Sequence, residues 1–510
     1  MKKIHRLQLT IACLTIASFA MAQTVVAPEF DTIPRAEVSI TTGTVTIEGS
    51  TIAYQATAGT MELRDMDNKP LCLFGYTGYT SQSEKAKDKS KRPVVFAFNG
   101  GPGSSSMWLH MGALGPKRIL VDDPSHNPNA PYRLANNQYS ILDVADVVMI
   151  DPVGTGLSVP LGKNTFKDFW GVDEDINSIS IFIQQYLIRN GRLNSPKYLL
   201  GESYGTFRNA GIMEHLQQKG IAMNGVIMVS AVFDLLSLTF PEGNDIPYLV
   251  HFPSYAATAW YHEKLENRPE NLEDFLAEVR SFTEDTYGPA LLKGDQLSEA
   301  EMAALAQQLA SYSGLSADYW RKADLRVTNR EYFAELLREE GDKVGRLDSR
   351  YRDILPDLLA QNGDRDPFTI ALLPPFVTGF MQYFYEDLKV DPRHQYATSA
   401  SGREGFKWNW DHKGNFSWGT RTAINTGPDL ASAMTQNPNT KVLILNGYYD
   451  LATAFYGVEY SINHLGLRPE IKQNIIMKYY EAGHMMYVHE PSFEKFKKDI
   501  ADFIKETDNL

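Results

Sequence analysis

Between residues 36 and 80 polar and apolar side chains alternate, as in Val38-Ser39-Ile40 and Thr44-Val45-Thr46-Ile47, with glycines between the runs. A period of two predicts half-buried antiparallel strands. Residues 81–92 are polar, Lys-rich and without periodicity, and read as a solvated hairpin loop. After Pro93 the alternation gives way to short apolar runs at 94–98, 144–150, 198–200 and 226–229, each closely followed by Gly, Asp or Ser. Such runs suit strands of a parallel sheet buried on both faces. Between two of them Ile176, Ile179, Ile183, Tyr186 and Leu187 recur at helical spacing behind Asp173-Glu174-Asp175, acidic residues that favour a helix N-terminus. Strand, helix, strand implies a parallel sheet with right-handed crossovers.

From about 235 to 420 the pattern is helical and irregular, with amphipathic stretches at 275–279, 302–309 and 332–337 and aromatic clusters at 255–261 and 408–410. The sheet pattern resumes at 442–445 and 475–479, so the helical part interrupts one domain. The predicted organisation is a leader at 1–22, an N-terminal β region at 23–92, a first half of the core at 93–234, a helical insertion or cap at 235–420 and a second half of the core at 421–510. The leader rests on Lys2, Lys3 and Arg6 before an apolar stretch, 7–19, and on Ala20-Met21-Ala22 as a small-x-small cleavage site. That stretch is shorter than the ~20 residues of a bilayer span and is broken by Gln8, Thr10 and Thr15. A cleaved signal peptide, and export to the periplasm or the extracellular space, is expected. Lipid attachment at Cys13 is the rival reading, and it would leave a very short signal.

Composition changes this picture little. A chain of 510 residues with 43% hydrophobic and 22% charged residues suggests neither disorder nor a multi-span membrane protein. Loss of the leader removes Cys13, leaves Cys72 alone and rules out an intramolecular disulfide, so stability must come from the core. The net charge of −13 becomes −16 once Lys2, Lys3 and Arg6 are removed, which argues against nucleic acid or an anionic membrane as partner. No integral membrane segment is expected after signal removal.

The chemistry concentrates in a few segments. Gly201-Glu202-Ser203-Tyr204-Gly205 fits G-x-S-x-G, a sharp turn that lifts a nucleophilic serine above a sheet, with a strand predicted at 198–200 and a helix at 207–218. A serine hydroxyl needs a base and the base needs an orienting carboxylate. Asp450 and His484 follow the late strands at 442–445 and 475–479, giving the chain order Ser, Asp, His of the α/β-hydrolase fold. His489 is a rival base, or a metal partner of His484, but no HExxH or cysteine cluster supports a metal, and no metal or cofactor is expected. His251, His412 and His464 read as structural, whereas His110, shortly after a glycine-rich loop, could face the site. That loop, Asn99-Gly100-Gly101-Pro102-Gly103, lacks the G-x-x-x-x-G-K-[ST] of a phosphate cradle. The remaining reading is an oxyanion hole, with the Gly101 and Tyr204 amides as donors.

In order, residues 99–106 (NGGPGSSS), 151–158 (DPVGTGLS), 201–205 (GESYG) and 483–485 (GHM) resemble the signatures of the serine carboxypeptidase family. The resemblance implies an α/β-hydrolase fold, a triad of Ser203, Asp450 and His484, oxyanion donors at Gly101 and Tyr204, and Asn99 and Glu202 as ligands of a substrate's terminal carboxylate. It also exposes departures. Ala113 stands where family members carry a second glutamate, Ser104 replaces a disulfide cysteine, and Met486-Tyr487 replaces Val-Pro. These departures place the chain in a divergent, bacterial-type branch. The implied activity is an exported carboxypeptidase acting on peptides with a free C-terminus. An esterase or acyltransferase could use the same triad, and a non-catalytic binding protein on this fold is the reading from a different class.

Overall fold

The structure is a computed structural model that describes residues 35–363, 365–413 and 424–509. The leader sequence, and with it Cys13, lies outside the described residues. The alternating N-terminal region forms three antiparallel strands, β1 (Val38–Ile47), β2 (Ser50–Arg64) and β3 (Pro70–Ser81). The short apolar runs form β4 (Val94–Phe98), β5 (Asp146–Asp151), β6 (Lys197–Glu202), β7 (Gly225–Val229), β8 (Lys441–Gly447) and β9 (Ile475–Tyr480). They join in one sheet in the order β1-β2-β3-β5-β4-β6-β7-β8-β9, and the short strand Val159–Pro160 pairs with β3 at the side. From β5 to β9 every neighbouring pair is parallel. Residues 81–92 are not the expected hairpin loop. β5 pairs with both β3 and β4 and so separates them, and the segment is a crossover. Its last residue, Arg92, is buried against Asp146 rather than solvated.

Side chains on adjacent strand positions face opposite sides of the sheet, and each side carries its own core. Val95, Ala97, Val147, Met149, Leu200 and Ile227 point to one side, where α6 (Pro367–Gln382) supplies Phe376 and Phe380 and the C-terminal helix α8 (Glu490–Thr507) supplies Phe496 and Ile500. Phe96, Phe98, Val148, Leu199 and Met228 point to the other, under α1 (Val172–Arg189), α2 (Tyr204–Gln218) and α7 (Gly427–Gln436). A third core lies within the helical segment, around α3 (Ile246–Tyr261), α4 (Leu272–Phe282) and α5 (Glu299–Ser313). There the rings of Tyr255 and Tyr332 stack with centroids 4.1 Å apart. The chain from β7 to β8 therefore divides its helices between a separate cluster and the main core, since α6 packs on the sheet.

One buried ion pair ties the layers to the loops above the sheet. Arg208 of α2, fully buried, donates from Nε to Asp175 of α1 at 2.5 Å and from Nη1 to the carbonyl of Asn99 at 2.8 Å. Removing one partner strands the other charge in an apolar layer. We expect Asp175→Ala to cost about 3–5 kcal/mol of stability, read as a lower denaturant midpoint at unchanged slope. A loss below about 1 kcal/mol would mean that water reaches Arg208 in place of the carboxylate.

Candidate active site

Ser203 follows the last residue of β6, at the carboxyl end of the parallel strands, and precedes α2. Its backbone lies at φ 60°, ψ −129°, a region that non-glycine residues avoid, and its N–H donates to the Val229 carbonyl of β7 at 2.9 Å. The turn is sharp enough that a Cβ at position 201 would stand 2.3 Å from the Gly205 carbonyl oxygen, so glycine is required there. Ser203 is partly exposed, while its neighbours Glu202 and Tyr204 are buried. Among the described residues its hydroxyl has no hydrogen-bond partner. Such loose geometry is common before substrate binds.

The loops after β8 and β9 bring Asp450 and His484 together. His484 Nδ1 lies 2.6 Å from Asp450 Oδ2, both side chains being nearly inaccessible. Asp450 Oδ1 accepts the Ala452 and Thr453 amides, and the Thr453 hydroxyl donates to Oδ2 at 2.7 Å. With Nδ1–H engaged, Nε2 of the neutral ring is left as the proton acceptor. Burial by itself would depress the imidazole pKa, but the charge and hydrogen bond of Asp450, together with Glu202, outweigh it and raise His484 above the usual histidine value.

Ahead of the elbow, the glycine loop closes onto the start of α2. A Cβ at position 100 would lie 2.5 Å from the Tyr204 nitrogen, the first amide of a helix whose leading N–H groups have no partner within the helix. Gly101 is exposed, at φ +108°. Asp151, in the second of the resembling segments, fixes the loop from below. It accepts the Ser106 amide and hydroxyl at 2.9 and 2.8 Å and the Tyr396 hydroxyl at 2.9 Å, and burial pushes it up to about 6. Asn99 Nδ2 donates to Glu202 Oε1 at 2.7 Å, and the Tyr487 hydroxyl donates to Glu202 Oε2 at 2.7 Å. Burial pushes Glu202 up to about 7, against the opposing pull of His484, Tyr487 and Asn99.

All seven residues singled out in the sequence thus lie at this end of the sheet, with Glu202 close enough to His484 for each to shift the other. The other histidines weighed in the sequence go elsewhere. His110 is buried against the Tyr79 hydroxyl at 2.5 Å, His489 bonds Ser492, and His412 bridges Asp173 and Asp429. Sequence reading missed Thr453, Tyr396 and Asp348, and it noted Tyr487 only as a departure. Asp348 accepts the Gly483 amide at 3.0 Å, and the Leu347 carbonyl accepts that of His484 at 2.7 Å. Only Thr453 carried a local signal, a hydroxyl three residues after the acid.

These strands, loops and helices define an α/β-hydrolase. The solved prohormone-processing carboxypeptidase KEX1(DELTA)P from Saccharomyces cerevisiae shares this fold, with a TM-score of 0.54 at 16% identity over 89% of this chain and 91% of that one. The sequence comparisons narrow the class: residues 66–237 match the family model described as serine carboxypeptidase, and through them the chain is related to that family. Over 178 residues it is 29% identical to the pheromone-processing carboxypeptidase KEX1 of S. cerevisiae, spanning 30% of this chain and 23% of the relative. Serine carboxypeptidase-like 20 of Arabidopsis thaliana is 31% identical over 122 residues, 24% of each chain. The alignments thus span about a quarter of the length of these curated relatives. The family match contains Asn99, Gly101, Glu202, Ser203 and Tyr204, while Asp450 and His484 lie beyond it.

Because the Asp450 charge, more than that of Glu202, holds the His484 pKa up, Asp450→Asn should lower it. Titration of histidine Cε1 signals by NMR reads this directly. An unmoved His484 resonance would assign its pKa to other neighbours.

Proposed function

We propose that the protein is an exported serine carboxypeptidase that removes C-terminal residues from peptides through an acyl-enzyme on Ser203. The observation that carries this reading is the buried Asn99–Glu202 pair directly beside the nucleophile. A plain esterase has no need of it. An Asn amide and a neutral carboxyl are both donors, and a terminal carboxylate offers matching acceptors. With Glu202 pushed up to about 7, the donor form is populated at and below neutrality. The family match over residues 66–237 and the carboxypeptidase relatives support the same substrate class.

In this reading Ser203 attacks the scissile carbonyl while His484 Nε2 takes its proton, and Asp450 steadies the imidazolium. The Gly101 and Tyr204 amides receive the oxyanion. Collapse expels the C-terminal residue, whose amine takes the proton back from His484. Water then repeats the sequence on the ester and frees Ser203. Export rests on the N-terminal basic and apolar segment with its small-residue site at 20–22.

The sharpest test is a matched pair of peptides, one with a free and one with an amidated terminus. The amidated terminus presents a donor where the pocket offers donors, and an unmatched buried polar group costs about 1–3 kcal/mol, so kcat/KM should fall roughly ten- to a hundred-fold. Asn99→Ala should shrink that gap. Ser203→Ala and His484→Ala should each abolish most turnover, and the double variant should be scarcely worse than either alone. Equal rates on the two peptides, or cleavage at internal bonds, would leave a serine hydrolase that is not a carboxypeptidase.

Two groups with raised pKa values set the pH dependence. His484 must be neutral, so activity on any substrate rises as pH climbs through its pKa. Glu202 must be protonated, so activity on free-terminus peptides falls again as pH passes about 7. We expect a bell near neutrality for the free peptide and a plateau on the alkaline side for the amidated one. Free-peptide kcat/KM still rising up to about pH 9 would exclude a required neutral Glu202.

A further inference from the structure

Among the described residues the Glu202 carboxyl takes two hydrogen bonds, and only one comes from a residue assigned to the site so far. On Oε1 stands Asn99, itself fixed by the Leu109 amide donating to its Oδ1 at 3.0 Å and by Arg208 donating to its carbonyl. On Oε2 stands Tyr487, whose hydroxyl arrives from a short helical turn, Met486–Val488, just past His484. Tyr487 is 2% exposed. Its ring packs against Phe493 and Phe496, with centroids 6.4 and 6.0 Å away. A Cβ at position 112 would stand 2.4 Å from the ring, so the ring reaches Glu202 only because residue 112 is glycine. A buried aromatic with space cleared for it and its one polar atom on a buried carboxyl is more than a packing residue.

We propose that Tyr487 is a positioning residue of the terminus-binding site: its hydroxyl fixes the carboxyl plane of Glu202 and, by donating to Oε2, sets the pH above which peptides with a free C-terminus are no longer held. This rests on the reading of Asn99 and Glu202 as carboxylate ligands. A phenol donates best to an ionised carboxylate, so the bond favours the charged form of Glu202 and works against burial, which favours the neutral one. The phenol itself stays protonated, since burial and the adjacent Glu202 raise it well above its ordinary value. The other charged groups around Glu202 are few. His484, when protonated, favours the carboxylate and Asp450 disfavours it. Arg208 is paired with Asp175 and turned to the Asn99 carbonyl. His110 and His489, the histidines on the neighbouring turns, are both depressed below the usual histidine range and stay neutral near pH 7. Tyr487 is therefore the uncharged partner of Glu202 through which the pH limit can be moved without touching the triad or Asn99.

Tyr487→Phe keeps the ring and removes the donor. The infrared band of a protonated carboxyl that disappears in Glu202→Gln reports the Glu202 proton independently of turnover. Its pH midpoint should rise by about one to two pH units in Tyr487→Phe, the worth of one hydrogen bond to a charged group. The pH at which KM for a free-terminus peptide climbs should rise with it. The amidated peptide should show no alkaline fall in either enzyme, and Tyr487→Phe added to Glu202→Gln should move nothing further. A fluorinated tyrosine at position 487 keeps the shape but donates more strongly, and should move the midpoint down, which preserves the test if the phenylalanine variant fails to fold. A midpoint unmoved by either replacement, whatever happens to thermal stability or kcat, would reduce Tyr487 to a packing role. If instead the midpoint moves but KM for the free peptide ignores it, the hydrogen bond stands and the carboxylate-binding reading of Glu202 fails.

Discussion

The nucleophile and its neighbours at the functional end of the molecule depend on one strained residue. Ser203 is forced to φ 60° because β6 must end and α2 must begin within a single residue. Such a conformation costs on the order of 1–3 kcal/mol and persists only where the surroundings leave no alternative. Here the constraint has three sources: the parallel pairing of β6 with β4 and β7, the Ser203 amide donating to Val229, and the burial of Phe207 and Ala210 of α2 in the layer below. Relaxing the turn would require α2 to leave that layer. The strain also sets the placement of the serine's neighbours, since Glu202 is the last residue of a buried strand and Tyr204 the first of a buried helix.

The base and its carboxylate are held differently, by the segment between β7 and β8. The Leu451 amide donates to the Arg346 carbonyl, the Ser349 amide to the Tyr449 carbonyl, and the His484 amide to the Leu347 carbonyl, while Asp348 takes the Gly483 amide. Residues 346–349 thus run between the loop of Asp450 and the loop of His484 and bond to both. Arg350 anchors that stretch through the buried carboxylate of Asp348 and the partly buried one of Asp123. Backbone-to-backbone bonds of this kind depend on the path of the chain more than on side-chain identity. A change in the helices that altered this path would reach His484 without touching it.

The same distinction decides what could be read in advance. The strands, the elbow and the order of Ser203, Asp450 and His484 were legible because each is written locally, in a period of two, a pair of glycines, or a polar residue closing an apolar run. The pairing order of the sheet was not, and residues 81–92 looked like a hairpin because nothing in them records that β5 enters between β3 and β4. Asp348 and Gly483 lie 135 residues apart, Tyr487 and Glu202 285 apart, and Arg208 meets the Asn99 carbonyl across 109. Partners at such distances leave no spacing pattern. His110 misled for the converse reason: it is close to the glycine loop in sequence, but the helical turn that follows carries it into the core against Tyr79.

The departures at Ala113 and Tyr487 then belong together. Ala113 offers no polar side-chain atom, and Gly112 beside it leaves the gap that the ring of Tyr487 fills. A second carboxyl next to Glu202 would share its proton, and two like charges that close cannot both ionise, which ties the charge change of one to the other. A phenol adds no charge near neutral pH. It holds the carboxyl by one hydrogen bond and leaves the proton to Glu202 alone, so the titration of this buried acid reduces to a balance between burial, one phenolic and one amide donor, and the charges of His484 and Asp450. Because His484 and Glu202 each act on the other, protonating the base favours the ionised acid and ionising the acid favours the protonated base. The useful state, with His484 neutral and Glu202 protonated, holds the same number of protons as its charge-separated counterpart, and the two differ only in where one proton sits. By bonding Oε2, Tyr487 weights that balance from the side of the acid.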